Sequence, residues 1–328
     1  LQEIMYSIRV YLPPNELLFA TCALIDNSIS RKTWMLSLCD ELDIFYPKEI
    51  EKIDKNFIVL KRSIIKSDTY QIPHKMFDLY GVFYDKELGF LRMPFEEAKK
   101  ISDNVAWLNR HTAGGRLVFR TNSQYMTFNV KYSSLDAMGH MAFTGLAGFS
   151  LCEKTPKGER FVTSFGPTIN DLNGYTRTTR SLKNRGKVRT YVLHFPLYNG
   201  VKELSIELVK GSILEKPEKY RDLDPIIFYG SSITQGGCAS RADTSYEDFA
   251  LNGLNLNYIN LGFSGNAKGQ IEMAKYIGSL KCSCFVYDYD ANAPDYEFLE
   301  KTHEPFFKEF RKYQPITPVI FMTKANYY

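Results

Sequence analysis

Three short polar stretches carry residue types suited to acyl transfer: Gly230-Ser231-Ser232-Ile233-Thr234-Gln235-Gly236-Gly237, Gly262-Phe263-Ser264-Gly265-Asn266, and Asp288-Tyr289-Asp290-Ala291-Asn292-Ala293. Each follows an apolar run, Ile226 to Tyr229, Tyr258 to Leu261 and Cys284 to Tyr287. Fully apolar runs of this length read as buried parallel strands, and open α/β sheets bind ligands outside the carboxyl ends of their strands. A serine at the apex of a tight strand-to-helix turn presents its hydroxyl at the sheet mouth. A glycine amide and an asparagine side chain arriving from adjacent strand ends supply the donors that a tetrahedral intermediate needs. Two other readings of the first stretch stay open, a glycine-rich phosphate cradle and an ordinary polar loop. The cradle lacks a Gly-Lys-Ser/Thr ending, and the Gly-x-Ser-x-Gly elbow of α/β-hydrolases is not met either.

The elements that must hold these stretches can be read around them. Tyr246 to Leu254, Gln270 to Leu280 and Tyr296 to Lys312 carry apolar residues at helical spacing, and Val319 to Met322 is a fourth strand. Strand and helix alternating in this way predict a parallel α/β sheet with right-handed crossovers over residues 217–328. Upstream, the aromatic-rich region from Met76 to Leu208 reads as strands, with alternation in Leu117 to Arg120, Tyr125 to Val130, Arg189 to Phe195 and Leu204 to Leu208. Gly114-Gly115, Pro156-Lys157-Gly158, Asn173-Gly174 and Asn199-Gly200 punctuate them as turns. An antiparallel β-sandwich is expected over residues 73–216, separated from the α/β part by the charged stretch Glu215 to Asp224 and Pro225. Residues 1–72 fit neither pattern and form an unassigned N-terminal segment.

With the three polar stretches in order, the sequence resembles the SGNH (GDSL-like) hydrolases. Gly-Ser-Ser-Ile-Thr-Gln-Gly looks like the first block of that family, Gly265 within Ser-Gly-Asn like the second, and Asn292 like the third. The stretch from Ile226 to Asn266 is similar to a bacterial subgroup that carries an N-terminal β-sandwich. Met138-Gly139-His140-Met141-Ala142-Phe143-Thr144-Gly145 and Pro196-Leu197-Tyr198-Asn199-Gly200-Val201 look like that sandwich. The resemblance covers about residues 76 to 326. It implies a three-layer, flavodoxin-like parallel sheet preceded by an antiparallel, jelly-roll-like sandwich. It also implies a serine esterase with Ser232 as nucleophile and the amides of Ser232 and Gly265 and the side chain of Asn292 as oxyanion hole. Two departures stand out. Ser231 replaces the aspartate of Gly-Asp-Ser, and the last block, Asp-x-x-His, does not occur: none of His74, His111, His140, His194 and His303 has an aspartate three residues before it. His303 falls on a predicted helix, where a solvated surface position is the ordinary reading. The general base is expected beyond Tyr328. His140 reads as a sandwich histidine ahead of any catalytic or substrate role; Arg241 and Gln235, close behind Ser232, could touch substrate, with capping or ion-pair roles at least as ordinary a reading.

The remaining composition narrows the partners. Of the chain's 328 residues, 41 are basic and 37 acidic, and the basic ones are interspersed rather than gathered into a phosphate-tracking run, so nucleic acid is not expected as a partner. No apolar stretch is long enough to span a membrane, and Leu17 to Ile25, interrupted by Thr21 and Cys22, makes no convincing secretion signal, so a cytoplasmic location is expected. The six cysteines, at 22, 39, 152, 238, 282 and 284, form no disulfide framework or paired knuckles. Free thiols are expected, with Cys282 and Cys284 as strand residues, and neither a metal nor an organic cofactor. The family resemblance favours a small acyl ester, acetyl first, on a small-molecule or oligosaccharide substrate. A lipid or thioester hydrolase on the same fold, and a carbohydrate-binding protein with a decayed catalytic half, are the alternatives.

Overall fold

The structure is a computed structural model and describes residues 66–323 apart from 169, 170, 172, 173, 180, 181, 183 and 185. The expectations placed on residues 1–65, including Leu17 to Ile25, Cys22 and Cys39, lie outside the described residues, as does Asn173. In chain order the elements begin with β1 (Ser67–Ile72), β2 (Asp78–Tyr80), β3 (Phe83–Asp85), β4 (Gly89–Leu91), α1 (Phe95–Ile101), α2 (Asp103–Leu108), β5 (Arg116–Thr121), β6 (Met126–Ser134), α3 (Phe143–Leu146), β7 (Phe149–Thr155), β8 (Gly158–Phe165), β9 (Tyr175–Thr178), β10 (Arg189–His194), β11 (Gly200–Val209) and β12 (Leu214–Glu215). They form two antiparallel sheets, one ordered β1-β11-β6-β9, the other β12-β5-β10-β7-β8 with β2 beside β5, and a small β3-β4 hairpin.

Alternation builds the sandwich. Met126, Phe128 and Val130 of β6 are buried and stand opposite Leu208, Ile206 and Leu204 of β11, while Thr127 and Asn129 turn outward. Leu117, Phe119, Phe149, Leu151, Tyr191 and Leu193 of the second sheet close the same core. The sheet starts at Ser67, ahead of residue 73.

The chain continues with β13 (Ile226–Gly230), α4 (Ser232–Gln235), α5 (Tyr246–Leu251), β14 (Tyr258–Gly262), α6 (Ile271–Ser279), β15 (Cys284–Asp288), a 3₁₀ turn (Asp290–Asn292), α7 (Tyr296–Tyr313) and β16 (Val319–Phe321). The strands form a parallel sheet ordered β14-β13-β15-β16. Its two faces separate with period two. Ile227, Tyr229, Phe285 and Tyr287 pack against Met273, Ala274 and Ile277 of α6 and Phe306 and Phe310 of α7. Phe228, Tyr258 and Val286 meet Tyr246 and Leu251 of α5 on the other face. Helices on both faces give the expected three layers, and the fold class is the one the sequence implied.

The reading of Met76 to Leu208 as strands needs correction at α1, α2 and α3. Phe95 to Ile101 is built of helix formers, with Glu96 and Glu97 in the first turn and Lys99 and Lys100 in the last, each favourable to the helix dipole. Ser102 then caps α2 by accepting from the Val105 N–H. The high aromatic content of the region as a whole masks this local signal. Ala98, Val105 and Ala106, with Met93, pack into the core of the parallel sheet rather than that of the sandwich. Among the described residues, no helix is long and apolar enough to cross a membrane.

Candidate active site

Parallel pairing sets Gly230 level with Gly262 on one side and with Asp288 on the other. Adjacent strands lie ~4.8 Å apart, so the three polar stretches leave the sheet side by side. Ser232 opens α4 and is half-buried; Ser231, fully buried, caps that turn by accepting from the Ile233 N–H at 3.2 Å. Gly262 has to be glycine, because a Cβ there would lie 2.2 Å from the Gln235 nitrogen. This close approach lets α4 fold back onto β14. Gly265 lies exposed in the following loop with φ +67°, a left-handed backbone that glycine adopts without strain.

Side chains of α4 lock it to its neighbours. Thr234 donates to Asp288 Oδ2 at 3.1 Å, which also accepts from Tyr246 Oη at 3.3 Å. Burial raises the Asp288 carboxyl above the usual range. Asn260 donates to the Thr234 carbonyl at 2.6 Å. Gln235, fully buried, accepts from the Ser264 N–H at 2.9 Å through Oε1. Its Nε2 donates to the Leu197 carbonyl at 3.2 Å and faces His111 Nδ1 at 3.1 Å. Burial, with Arg92 nearby, drives the His111 imidazole down to about 3, so the ring is neutral and Nδ1 accepts from Gln235. Tyr198 donates to the Ser232 carbonyl at 3.0 Å, and burial pushes its phenol up to about 12.

Asn292 ends the 3₁₀ turn, and its side-chain amide donates to the carbonyls of Phe263 at 3.2 Å and Ala267 at 3.1 Å. Lys268 returns a bond to the Asn292 carbonyl at 2.8 Å. The Asn292 side chain thus ties the end of β15 to the loop that carries Gly265. Reaching an oxyanion requires it to give up one of those two carbonyls, because the amide has only two N–H groups.

Residues 223–328 match the model of the GDSL-like lipase/acylhydrolase family, and residues 70–214 match that of the N-terminus of SGNH-hydrolase-type esterases. The chain belongs to the SGNH (GDSL-like) hydrolases. It is an esterase or acylhydrolase of that family. A protein from Bacteroides ovatus described as a GDSL-like lipase superimposes with a TM-score of 0.69 at 24% identity, covering 77% of this chain and 74% of that one. A salicylyl-acyltransferase from a tetracycline biosynthetic pathway gives 0.61 at 16% identity, covering 77% and 71%. A family two carbohydrate esterase from Cellvibrio japonicus gives 0.51 at 12%, covering 78% of each chain. At these identities the likeness is one of fold. No curated protein matches the chain.

The other candidate residues of this hydrolase fall as follows. His303 lies on α7, half-buried, and stacks on Tyr287 with ring centres 4.4 Å apart. His140 is exposed in the segment before α3, and Thr144 of α3 donates to the Ser240 carbonyl at 2.6 Å. Arg241 makes a two-pronged ion pair with Asp243 at 3.0 and 3.1 Å and lies over the Phe161 ring. Cys282 and Cys284 carry free thiols at the entry to β15, as do Cys152 and Cys238 elsewhere. Among the described residues no histidine hydrogen-bonds to Ser232. Sequence reasoning gave no role to His111, Tyr198 or Arg92. The buried Arg92 guanidinium donates to the carbonyls of Gly262 and Asn260 and to that of Leu108, and burial lowers it to about 9. Tyr198 lies within the resembling Pro196 to Val201 stretch, which was the one sequence signal pointing toward it.

Proposed function

We propose that this hydrolase cleaves a small acyl ester, acetyl first, on a carbohydrate, with Ser232 as nucleophile. In this reading Ser232 Oγ attacks the ester carbonyl and its proton passes to a general base. The oxyanion is met by the backbone N–H groups of Ser232 and Gly265 and by the Asn292 amide. Collapse expels the alcohol, and water attacking the acyl-serine releases the acid. The observation that carries the proposal is the level register of Gly230, Gly262 and Asp288, which brings the stretches bearing Ser232, Gly265 and Asn292 out of one end of the sheet together. The family's base is the histidine of an Asp-x-x-His block; that pattern is not in the sequence, and the proposal assigns the base to no residue named above. The sandwich ahead of the parallel sheet is an architecture shared with the carbohydrate esterase of Cellvibrio japonicus, and it is the reason acetylated sugars head the substrate list.

Hydrolysis of p-nitrophenyl acetate, butyrate and octanoate by the wild-type protein and by Ser232→Ala tests this. Acetate activity that is lost in Ser232→Ala is the expected outcome and leads to acetylated oligosaccharides as substrates. A preference for octanoate would redirect the proposal to a lipid hydrolase. Activity undiminished in Ser232→Ala would remove the nucleophile.

A further inference from the structure

At the other end of β14 from Gly262, β7, β8 and β10 of the sandwich and the Arg241 to Asn255 segment of the α/β half enclose a cavity of about 500 Å³. Its sandwich wall follows from strand register. Val192 pairs with Cys152 and His194 with Ser150, so Cys152 and His194 are diagonal neighbours on one face. Cys152 pairs with Phe161 and Lys154 with Glu159, which sets Glu159 on that face too. The Cys152 thiol, a Glu159 carboxylate oxygen and a His194 ring nitrogen all lie within 4.8 Å of one another. Cys152 and His194 are almost wholly buried, at 1% and 3% exposure.

The facing segment brings two more carboxylates. Asp243 Oδ2 lies 3.7 Å from Cys152 Sγ and also accepts from Arg241 Nη2 at 3.1 Å, a bond it has to release to meet a metal; Asp248 Oδ1 lies 3.5 Å from His194 Nδ1, and Glu159 Oε2 is 2.6 Å from His194 Nε2. A tetrahedral zinc ion with bonds of ~2.0–2.3 Å sets its donors ~3.3–3.8 Å apart. The Cys152 to Asp243 spacing falls in that range, and the His194 to Glu159 contact has only to widen as a metal takes the place of their shared proton. Thiolate, imidazole and carboxylate together suit a borderline-soft divalent ion. Arg116, Lys154 and Arg241 also line the cavity and offset part of its carboxylate charge. Burial pushes the Cys152 thiol up, and Glu159 and Asp248 hold the buried His194 imidazole well above its ordinary value, so a metal binds here by displacing a proton from each.

We propose that Cys152, Glu159 and His194 bind one zinc ion, with Asp243 closing the shell from the α/β half, so that the metal staples the two halves together. The donors are scattered between residues 152 and 243, with no knuckle spacing to announce them.

The test is metal content of the purified full-length protein, first stripped with chelator and then titrated with Zn²⁺ or, as a spectroscopic stand-in, Co²⁺. The expected result is one tightly held equivalent of Zn²⁺, a raised melting temperature, and a near-ultraviolet cobalt–thiolate band. Cys152→Ser should abolish the band while Cys238→Ser, at an exposed thiol outside the cluster, should keep it. Glu159→Gln and Asp243→Asn preserve size and should weaken Zn²⁺ binding by at least about 10–100-fold; they decide the matter if Cys152→Ser does not fold. No stoichiometric Zn²⁺ on the wild-type protein, a band that survives Cys152→Ser, or unchanged affinity in both carboxamide variants would overturn the proposal. None of these readings depends on the esterase assay.

Discussion

Replacing Gln235 with leucine keeps the volume of a fully buried side chain and removes three hydrogen bonds at once, to the Ser264 N–H, His111 Nδ1 and the Leu197 carbonyl. Ser264 is half-buried, whereas His111 and Leu197 are buried. An orphaned buried group costs ~1–3 kcal/mol, so the two buried partners set the loss of stability at about 2–6 kcal/mol. In a domain of this size each kcal/mol shifts the melting temperature by ~2–4 °C, which makes the expected drop about 4–24 °C. The same change releases the loop that bears Gly265. Loss of an oxyanion donor lowers kcat by ~10²–10³, and with Gly265 in the donor role proposed above a loosened loop should lower it by about 10–100-fold with KM little altered. Thermal melts, followed by steady-state kinetics well below both midpoints, measure the two effects separately. A folded Gln235→Leu enzyme with kcat within about twofold of wild type would refute the idea that Gln235 positions the Ser264–Gly265 loop for catalysis.

Gly262→Ala puts a methyl group 2.2 Å from the Gln235 nitrogen; α4 must move, and a large fall in both melting temperature and esterase rate is expected. Phe306→Ala opens the aromatic core of the parallel sheet, where Phe306 is fully buried against Tyr229, and should cost ~3–5 kcal/mol in a urea titration. The His111 imidazole stays neutral in the fold, down at about 3 from an ordinary 6.5, so the unfolded chain takes up this proton first as pH falls. Its contribution to stability is complete above about pH 6.5 and is withdrawn between there and about pH 3, at up to ~1.4 kcal/mol per pH unit. Melting temperatures across that window should fall less steeply in His111→Leu than in wild type.

The parallel sheet was legible because buried strands such as Ile226 to Tyr229 and Tyr258 to Leu261 carry no polar alternation, and because glycine and polar residues stop them abruptly. Residues placed directly after strand ends are local in sequence, so it was legible that the stretches bearing Ser232, Gly265 and Asn292 follow adjacent strands. What stayed hidden is whatever packing decides. His111 and Gln235 are 124 positions apart and meet only because the sandwich docks beside α4. Arg92 looks like a surface residue by type, yet it is buried with carbonyl partners from both halves. The two carbonyls held by Asn292 follow from loop geometry that no spacing encodes. The helical signal of Phe95 to Ile101 was present but was outweighed by the strand-like character of its surroundings.

The helices α1 and α2 precede most of the sandwich in the chain yet lend Ala98, Val105 and Ala106 to the core of the parallel sheet. The two halves are therefore interleaved rather than strung in series. A recombination or excision cut anywhere between Leu108 and Ile226 would detach the catalytic layer from part of its own interior and leave apolar surface open on both products.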